Sequence, residues 1–307
     1  MRYNIVEEED KIILKDIKNF NPKHIFECGQ AFRWNLEDDG SYTTIAYGKV
    51  INVKKENNDI ILSNTNMKDF NNIWYNYFDL ARDYDEIKKV LSRDPILAEA
   101  IKFGEGIRIL NQEPFEMVIS FITSANNQIP RIKKSIELIS KNYGEKIAPG
   151  EPSLWRAPEG RFSWRKTEYY SFPTAESLSK AKPEDLKEIC KVGFRAERIA
   201  ETARIIARGE LDLTSVFDLS RDEGKELLMT LPGVGPKVSD CILLFAFNKD
   251  EAFPVDVWVK RVMEHFYLKE DTNVKLIGAH GARIFGNLAG FAQQYLFYYA
   301  RELGIGK

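Results

Sequence analysis

Cysteine is scarce in this chain of 307 residues: there are three, Cys28, Cys190 and Cys241, far apart in sequence. They form no CxxC pair, so the spacings that hold zinc or a four-cysteine iron–sulfur cluster are absent. The three histidines, His24, His265 and His280, are equally scattered and read as surface or packing residues, not metal ligands. No apolar run approaches the roughly 20 residues of a membrane-spanning helix. The opening residues, MRYNIVEEEDK, are acidic and lack the apolar core of a secretory signal. A cytosolic protein without membrane contact is therefore expected. A large charge of either sign is also missing. The formal net charge is −2, from 44 Lys and Arg against 46 Asp and Glu, so the chain as a whole does not announce a polyanion binder. Repeats and low-complexity tracts are absent too.

What is present is enough chain for two or three domains with a substantial core. Charge is unevenly spread. Residues 1–100 hold 14 basic and 18 acidic side chains, whereas residues 125–208 hold 17 basic and 11 acidic. Either that segment is a solvated set of helix faces or it is a local phosphate-binding surface, which net charge does not decide. In residues 1–92, TTIAYG, VINVKK and IILSN are β-branched and punctuated by Asp39-Gly40, Gly48 and Asn57-Asn58-Asp59. They read as antiparallel strands. Helical spacing begins near residue 68, and from residue 95 it dominates through to AGFAQQYLFYYAREL. The expected fold class is α+β: an N-terminal domain over 1–92 with an antiparallel sheet and helices, then a mostly helical region over 93–307. The stretch 148–173 is the longest irregular one, and its aromatic residues suggest a packed loop with a small hairpin.

The densest signal lies in residues 231–256, LPGVGPKVSDCILLFAFNKDEAFPVD. Leu231 to Gly235 is too short and glycine-rich for helix or strand. Pro236 suits a first helical position, and a helix is expected from there to about Ala246. Its free N–H groups and dipole face the glycine turn and favour an anion. Lys237 and Cys241, four apart, share one face. The positive end of the dipole disfavours charge on the lysine, which suits a nucleophilic amine. Asp256 precedes the amphipathic run VWVKRV and reads as an N-cap. Each feature alone is also compatible with a capped helical hairpin carrying a surface lysine.

The combination resembles the helix-hairpin-helix and Gly-Pro-Asp signature of the DNA glycosylase superfamily, and within it the 8-oxoguanine DNA glycosylase family. Four further segments resemble that family in the same order: GQAFRW (29–34), NNQIPRI (126–132), GFRAERI (193–199) and AGFAQQYLF (289–297). The resemblance implies a hairpin at about 222–247 and a last helix that packs back beside the catalytic site. It implies removal of 8-oxoguanine from duplex DNA by base flipping, with associated strand cleavage at the abasic site. Lys237 would be the nucleophile and Asp256 the carboxylate that stabilises a cationic sugar. For the flipped base it implies Cys241 and Phe297 on the two faces, Gln293 on the Watson–Crick edge, and the Gly29 carbonyl accepting from N7–H. Phe194 would fill the vacated stack, Asn126, Arg131 and Arg195 would read the orphaned base, and the turn at Gly233 and Gly235 would hold the DNA backbone.

The resemblance calls for no metal or organic cofactor, and the cysteine spacing excludes the iron–sulfur cluster that some hairpin glycosylases carry. It favours a monomer, associated with the nucleoid if the source is bacterial. Some positions depart from the common pattern: Phe194 where tyrosine is usual, Gln128 for a third asparagine, Trp258 for a phosphate-binding histidine, and Phe245 and Arg301 near the pocket. Two other readings stay open at this point. One is an alkylated-purine glycosylase without lyase activity, against which Lys237 counts. The other is a non-catalytic hairpin protein that only grips DNA.

Overall fold

The structure is a computed structural model that describes residues 3–147 and 168–305. An antiparallel sheet of six strands forms its N-terminal part: β1 (Asn4–Glu8), β2 (Lys11–Lys15), β3 (Trp34–Leu36), β4 (Tyr42–Ala46), β5 (Lys49–Glu56) and β6 (Asp59–Ser63). Their spatial order is β1-β2-β6-β5-β4-β3. The three runs expected as strands are β4, β5 and β6. The other three go beyond that expectation: β1 and β3, at the two edges of the sheet, have no buried residue and so little apolar alternation to read, and β2 is a short continuous apolar run. In register, Ile12 of β2 and Val53 of β5 both sit opposite Leu62 of β6. Their side chains form one buried cluster with Phe26 of α1 (Pro22–Glu27) and with Phe70, Trp74 and Phe78. Phe70 and Trp74 belong to a stretch in which α2 (Met67–Asp69), a π-helical turn at Phe70–Trp74 and α3 (Tyr75–Tyr77) follow without a break, and Phe78 is the residue that ends it.

Two aspartate-capped helices, α4 (Tyr84–Leu91) and α5 (Pro95–Phe103), lead into the helical part. There follow α6 (Pro114–Ser124) and α7 (Ile129–Tyr143). A two-residue strand β7 (Lys146–Ile147) pairs antiparallel with β8 (Tyr169–Tyr170). Of the expected packed loop over 148–173, residues 148–167 lie outside the described ones. The chain continues through α8 (Ala175–Leu178), α9 (Pro183–Glu188), α10 (Ala196–Ala207), α11 (Arg221–Leu228), α12 (Pro236–Ala246), α13 (Val257–Met263), α14 (Val274–Phe285) and α15 (Ala289–Leu303). Helix α14 forms although Gly278 and Gly281 lower its intrinsic helix preference. Gly281 is required by packing: a methyl group there would meet the Phe253 ring at 2.5 Å.

Burial ranks the helices. Every residue from Glu116 to Thr123 in α6 and from Val238 to Ala246 in α12 is buried. A helix apolar on all sides belongs at the centre of a core, and these two pack on each other there. Helix α15 closes the core, packing on α5, α13 and α14. The sheet is joined to this body by a buried ion pair between Arg33 Nη1 and Glu116 Oε2 at 3.2 Å. Burial pushes the Glu116 carboxyl up to about 7, against the opposing pull of Arg33. No helix among the described residues is long and apolar enough to cross a membrane. Among the same residues, no group of three or more His, Cys, Asp or Glu could hold a metal ion.

Candidate active site

The glycine turn and the two helices around it are built locally. Ser220 and Glu223 form a reciprocal capping box that starts α11. After the turn, Gly235 is the N-cap of α12 and Pro236 its first residue, with no side chain satisfying the first-turn N–H groups. Gly233 has φ +89° and lies against α6 and α10. A Cβ there would come within 3.2 Å of Ile122 and 3.1 Å of Arg198. Gly235 faces open space. Helices α11 and α12 are fastened by Asp240, whose Oδ2 pairs with Lys225 Nζ at 2.6 Å while Arg221 lies 3.8 Å from Oδ1. Burial raises the Asp240 carboxyl above the usual range, and the two cations oppose this.

Lys237 emerges half-buried from the first turn of α12, with Nζ 5.2 Å from the centroid of the Phe121 ring. Phe121 is itself stacked on Phe245, 5.6 Å between centroids. A cleft of about 580 Å³ between α11, α12 and α14 opens on Lys237 and Asp240. Cys241 lies one turn on from Lys237 and is buried. Burial pushes its thiol up to about 11; the neighbouring Lys237 amine, by charge and by hydrogen bond, pulls the other way.

Asp256 is the N-cap of α13. Its Oδ1 accepts from the backbone N–H groups of Trp258 and Val259, both at 2.9 Å. Oδ2 takes neither of these two bonds. Burial raises this carboxyl above the ordinary range. The Val259 N–H, the charges of Lys237 and Arg301, and the Trp258 N–H oppose that shift.

The motif at residues 29–34 reaches the same place through α15. Gly29 has φ +84°, a conformation that disfavours any side chain. The Phe297 ring presses on it, so that a Cβ at Gly29 would lie 2.9 Å from Phe297 Cε1. Gln294 donates to the Cys28 carbonyl at 2.7 Å. Gln30 is fully buried and donates to the carbonyls of Ile25 (2.9 Å) and Arg108 (2.7 Å), while its own Oε1 accepts from the Leu110 N–H (2.8 Å). The Gly29 peptide is thus held from both sides. Gln293, Phe297 and Arg301 follow at intervals of four along one face of α15. Gln293 Oε1 and Arg301 Nη1 are both buried without a hydrogen-bond partner. Arg301 lies 5.3 Å from the Phe297 ring centroid and acts on Asp256. A run of neighbours therefore links Lys237, Cys241 and Asp256 to Arg301, Phe297 and Gly29.

A second group gathers around α7 and α10. Asn126 is exposed at φ +49°, and Arg131 is exposed in the first turn of α7. Phe194 sits in the 3-10 turn Gly193–Arg195 and is 59% exposed, a large apolar ring facing solvent. The guanidinium of Arg195 stacks on it at 4.3 Å. Arg195 itself is buried and largely committed. Its Nε donates to the Ala125 carbonyl (2.9 Å), Nη1 to Val192 (3.0 Å), and Nη2 to Asn126 (2.9 Å) and again to Ala125. The structure thus brings Asn126, Phe194 and Arg195 together, with Arg195 as the strut that fixes the asparagine loop to the exposed ring.

Comparison with known proteins bears on both groups. Residues 12–118 match the model of the 8-oxoguanine DNA glycosylase N-terminal domain, and residues 119–283 match that of the HhH-GPD superfamily base excision DNA repair protein. A probable N-glycosylase/DNA lyase of Methanothermobacter thermautotrophicus is 37% identical over 74% of this chain and 74% of its own length. The N-glycosylase/DNA lyase of Saccharomyces cerevisiae is 31% identical, over 80% of this chain and 67% of its own. The Clostridium acetobutylicum 8-oxoguanine glycosylase/lyase has been solved in complex with dsDNA containing cytosine opposite to 8-oxoG. It superposes with a TM-score of 0.92 at 46% identity, covering 99% of this chain and 100% of that one. The chain belongs to the 8-oxoguanine DNA glycosylase family.

Sequence reasoning misses several residues that shape this glycosylase site. Asp240 carries a usable signal, as an acid three residues after Lys237 in an apolar helix. Gln30 carries one as well, being a polar residue inside the GQAFRW motif. Gln294 carries the same kind of signal inside AGFAQQYLF, whereas Phe121 has none, since it looks like an ordinary core position in its helix.

Proposed function

We propose that this chain is a base-excision-repair enzyme that removes 8-oxoguanine from duplex DNA and then cleaves the strand. The observation that carries the reading is the convergence of the hairpin amine Lys237 with Asp256 beside the face of α15 that holds Gln293 and Phe297. The target base leaves the duplex and displaces the Phe297 ring from Gly29. It then lies between Phe297 and Cys241, with Gln293 on its Watson–Crick edge. The Gly29 carbonyl accepts from N7–H, which oxidised guanine has and guanine lacks. Guanine would set a lone pair against that oxygen instead, leaving both groups unpaired.

Lys237 Nζ attacks C1′ as the glycosidic bond breaks, and the proton the amine loses goes to the departing base. The sugar ring then opens to an imine, and loss of a C2′ proton expels the 3′-phosphate. Asp256, through Oδ2, stabilises the cationic sugar. The open first turn of α12 at Gly233 and Gly235 suits a backbone phosphate, Phe194 suits the vacated stack, and Asn126 and Arg131 suit the orphaned base. The site residues require no cofactor. The enzyme works as a cytoplasmic monomer of two domains, 1–92 and 93–307, whose buried clusters cross that boundary: Cys28, Phe32, Tyr84, Ile87 and Leu91 join the helical core, and Leu110 joins the cluster under the sheet.

A covalent adduct tests the reading. Duplex carrying one 8-oxoguanine, incubated with the protein and borohydride, should yield a stable protein–DNA species that undamaged duplex does not. A damaged duplex that is processed without any adduct would make the protein a monofunctional glycosylase. A duplex that is bound and left intact would make it a non-catalytic hairpin protein.

Opposite-base preference should be present and moderate. Three of the four hydrogen bonds of Arg195 end on loop carbonyls 125 and 126, so the reading of the partner base falls mainly to Asn126 and Arg131. One good bidentate contact discriminates by about 1–3 kcal/mol. In single-turnover kinetics, cytosine opposite the lesion should therefore give the fastest rate, with other bases slower but not silent. Arg131→Leu should flatten the differences. Equal wild-type rates for all four partners would remove Asn126 and Arg131 from this role.

A further inference from the structure

Arg301 lies on the face of α15 that also carries Gln293 and Phe297. Its side chain is only 16% exposed. Two of its three nitrogens are committed: Nε to Glu302 Oε1 at 3.0 Å, and Nη2 to the same oxygen at 2.7 Å and to the carbonyl of Glu27, the last residue of α1. These bonds lock the guanidinium fork. The third nitrogen, Nη1, is buried with no partner. The guanidinium charge is matched by Glu302 and lies near the Phe297 and Tyr298 rings, but a buried N–H donor without a hydrogen-bond partner costs free energy, so its retention points to a ligand. Nη1 is aimed at Gly29: it lies 3.4 Å from where a Cβ of that residue would stand, and the same position is 2.9 Å from the Phe297 ring.

We infer that Arg301 Nη1 is a second reader of the damaged base, donating to the C8 carbonyl oxygen while the Gly29 carbonyl accepts from the adjacent N7–H. This rests on the proposed removal of 8-oxoguanine at this site. The oxidised edge of 8-oxoguanine presents a donor, N7–H, beside an acceptor, O8. Gly29 and Arg301 present the complementary acceptor beside a donor. Guanine has a lone pair at N7 and a C–H at C8, so it satisfies neither. The fixed planar fork of arginine suits this task, because its orientation is set before the base arrives. Gln293 Oε1, the other unpartnered atom on the same face of α15, is left for the opposite edge of the base.

The test compares duplexes in which only the C8 substituent changes: 8-oxoguanine, and 8-thioguanine in its thione form, which keeps N7–H and replaces oxygen by sulfur, a weak acceptor. Single-turnover base release is measured for the wild type, for Arg301→Leu, and for Arg301→Gln should the leucine variant not fold. The wild type should prefer the oxo base by on the order of 10- to 100-fold, the worth of one charge-assisted hydrogen bond. In the variants the preference should collapse because the oxo rate falls while the thio rate holds. A parallel fall on both substrates would mean that Arg301 only packs Phe297 or contacts a phosphate. A collapse caused by a rising thio rate would mean simple crowding by sulfur, and a wild type without preference would mean that O8 is not read; each of these overturns the inference. A wild type inactive on 8-oxoguanine would instead overturn the assigned function, so the two failures are distinguishable.

Discussion

Lys237→Gln should abolish borohydride trapping and lower single-turnover base release by at least about 10⁴-fold, the scale of losing a nucleophile, while duplex binding persists. Glutamine replaces the amine with an amide of similar reach that cannot form an imine. The fold should tolerate it. Lys237 is half-buried, and among its contacts is the face of Phe121 at 5.2 Å. Such a contact contributes about 0.5–1 kcal/mol at partly exposed positions. The start of α12 is set by Gly235 and Pro236 rather than by Lys237, and Asp240 fastens it to α11 from one turn further on. Loss of activity should therefore come with an unchanged melting temperature and an unchanged salt dependence of duplex affinity. An adduct still formed at the wild-type rate would assign the nucleophile to another group.

Lys237 and Asp256 are legible in the sequence because their signals are local. A glycine turn, a proline at the first helical position and an aspartate before an amphipathic run specify a helix start within a few residues, and both starts are where expected. Gln293 and Phe297 are legible as neighbours too, since spacing by four on a helix places them on one face. The meeting of Phe297 with Gly29 is not legible from composition or periodicity. It depends on α15 returning across the helical core to a turn more than 260 residues earlier, and only the resemblance between motifs points to it. Arg195 illustrates the opposite limit. Its residue type fits base reading, yet its surroundings supply carbonyls of the 125–126 loop within reach, and hydrogen bonds to those are available at all times, not only when DNA is bound. The edge strands β1 and β3 stay hidden because they owe their structure to their one partner in the sheet more than to their own sequence.

Asp256→Asn should separate two roles that one carboxylate combines. The cap uses Oδ1 alone, for the N–H groups of Trp258 and Val259. Asparagine offers the same oxygen and ranks with aspartate as an N-cap, so α13 should keep its start. The charge is what disappears. Burial holds the folded carboxyl above its ordinary value. A group whose folded value exceeds its unfolded one binds its proton more tightly in the fold, so its contribution to stability falls as pH rises between the two values. Above that window the ionised carboxylate is a burden on the fold that asparagine does not share. The variant should then be as stable as the wild type at neutral pH, or slightly more so, whereas Asp256→Ala should lose about 1 kcal/mol with the cap. Single-turnover base release should fall in both variants by about 2–4 kcal/mol of transition-state stabilisation, the typical loss of one preorganised electrostatic group. The wild-type rate should drop on acidification through a value above that of an ordinary carboxylate, and this limb should be missing from the asparagine variant. Thermal melts, read beside rate-against-pH profiles of the three proteins, check both halves. If Asp256→Asn keeps the full rate and the acid limb, then Asp256 acts only as a cap, and the cationic sugar must be stabilised by another group.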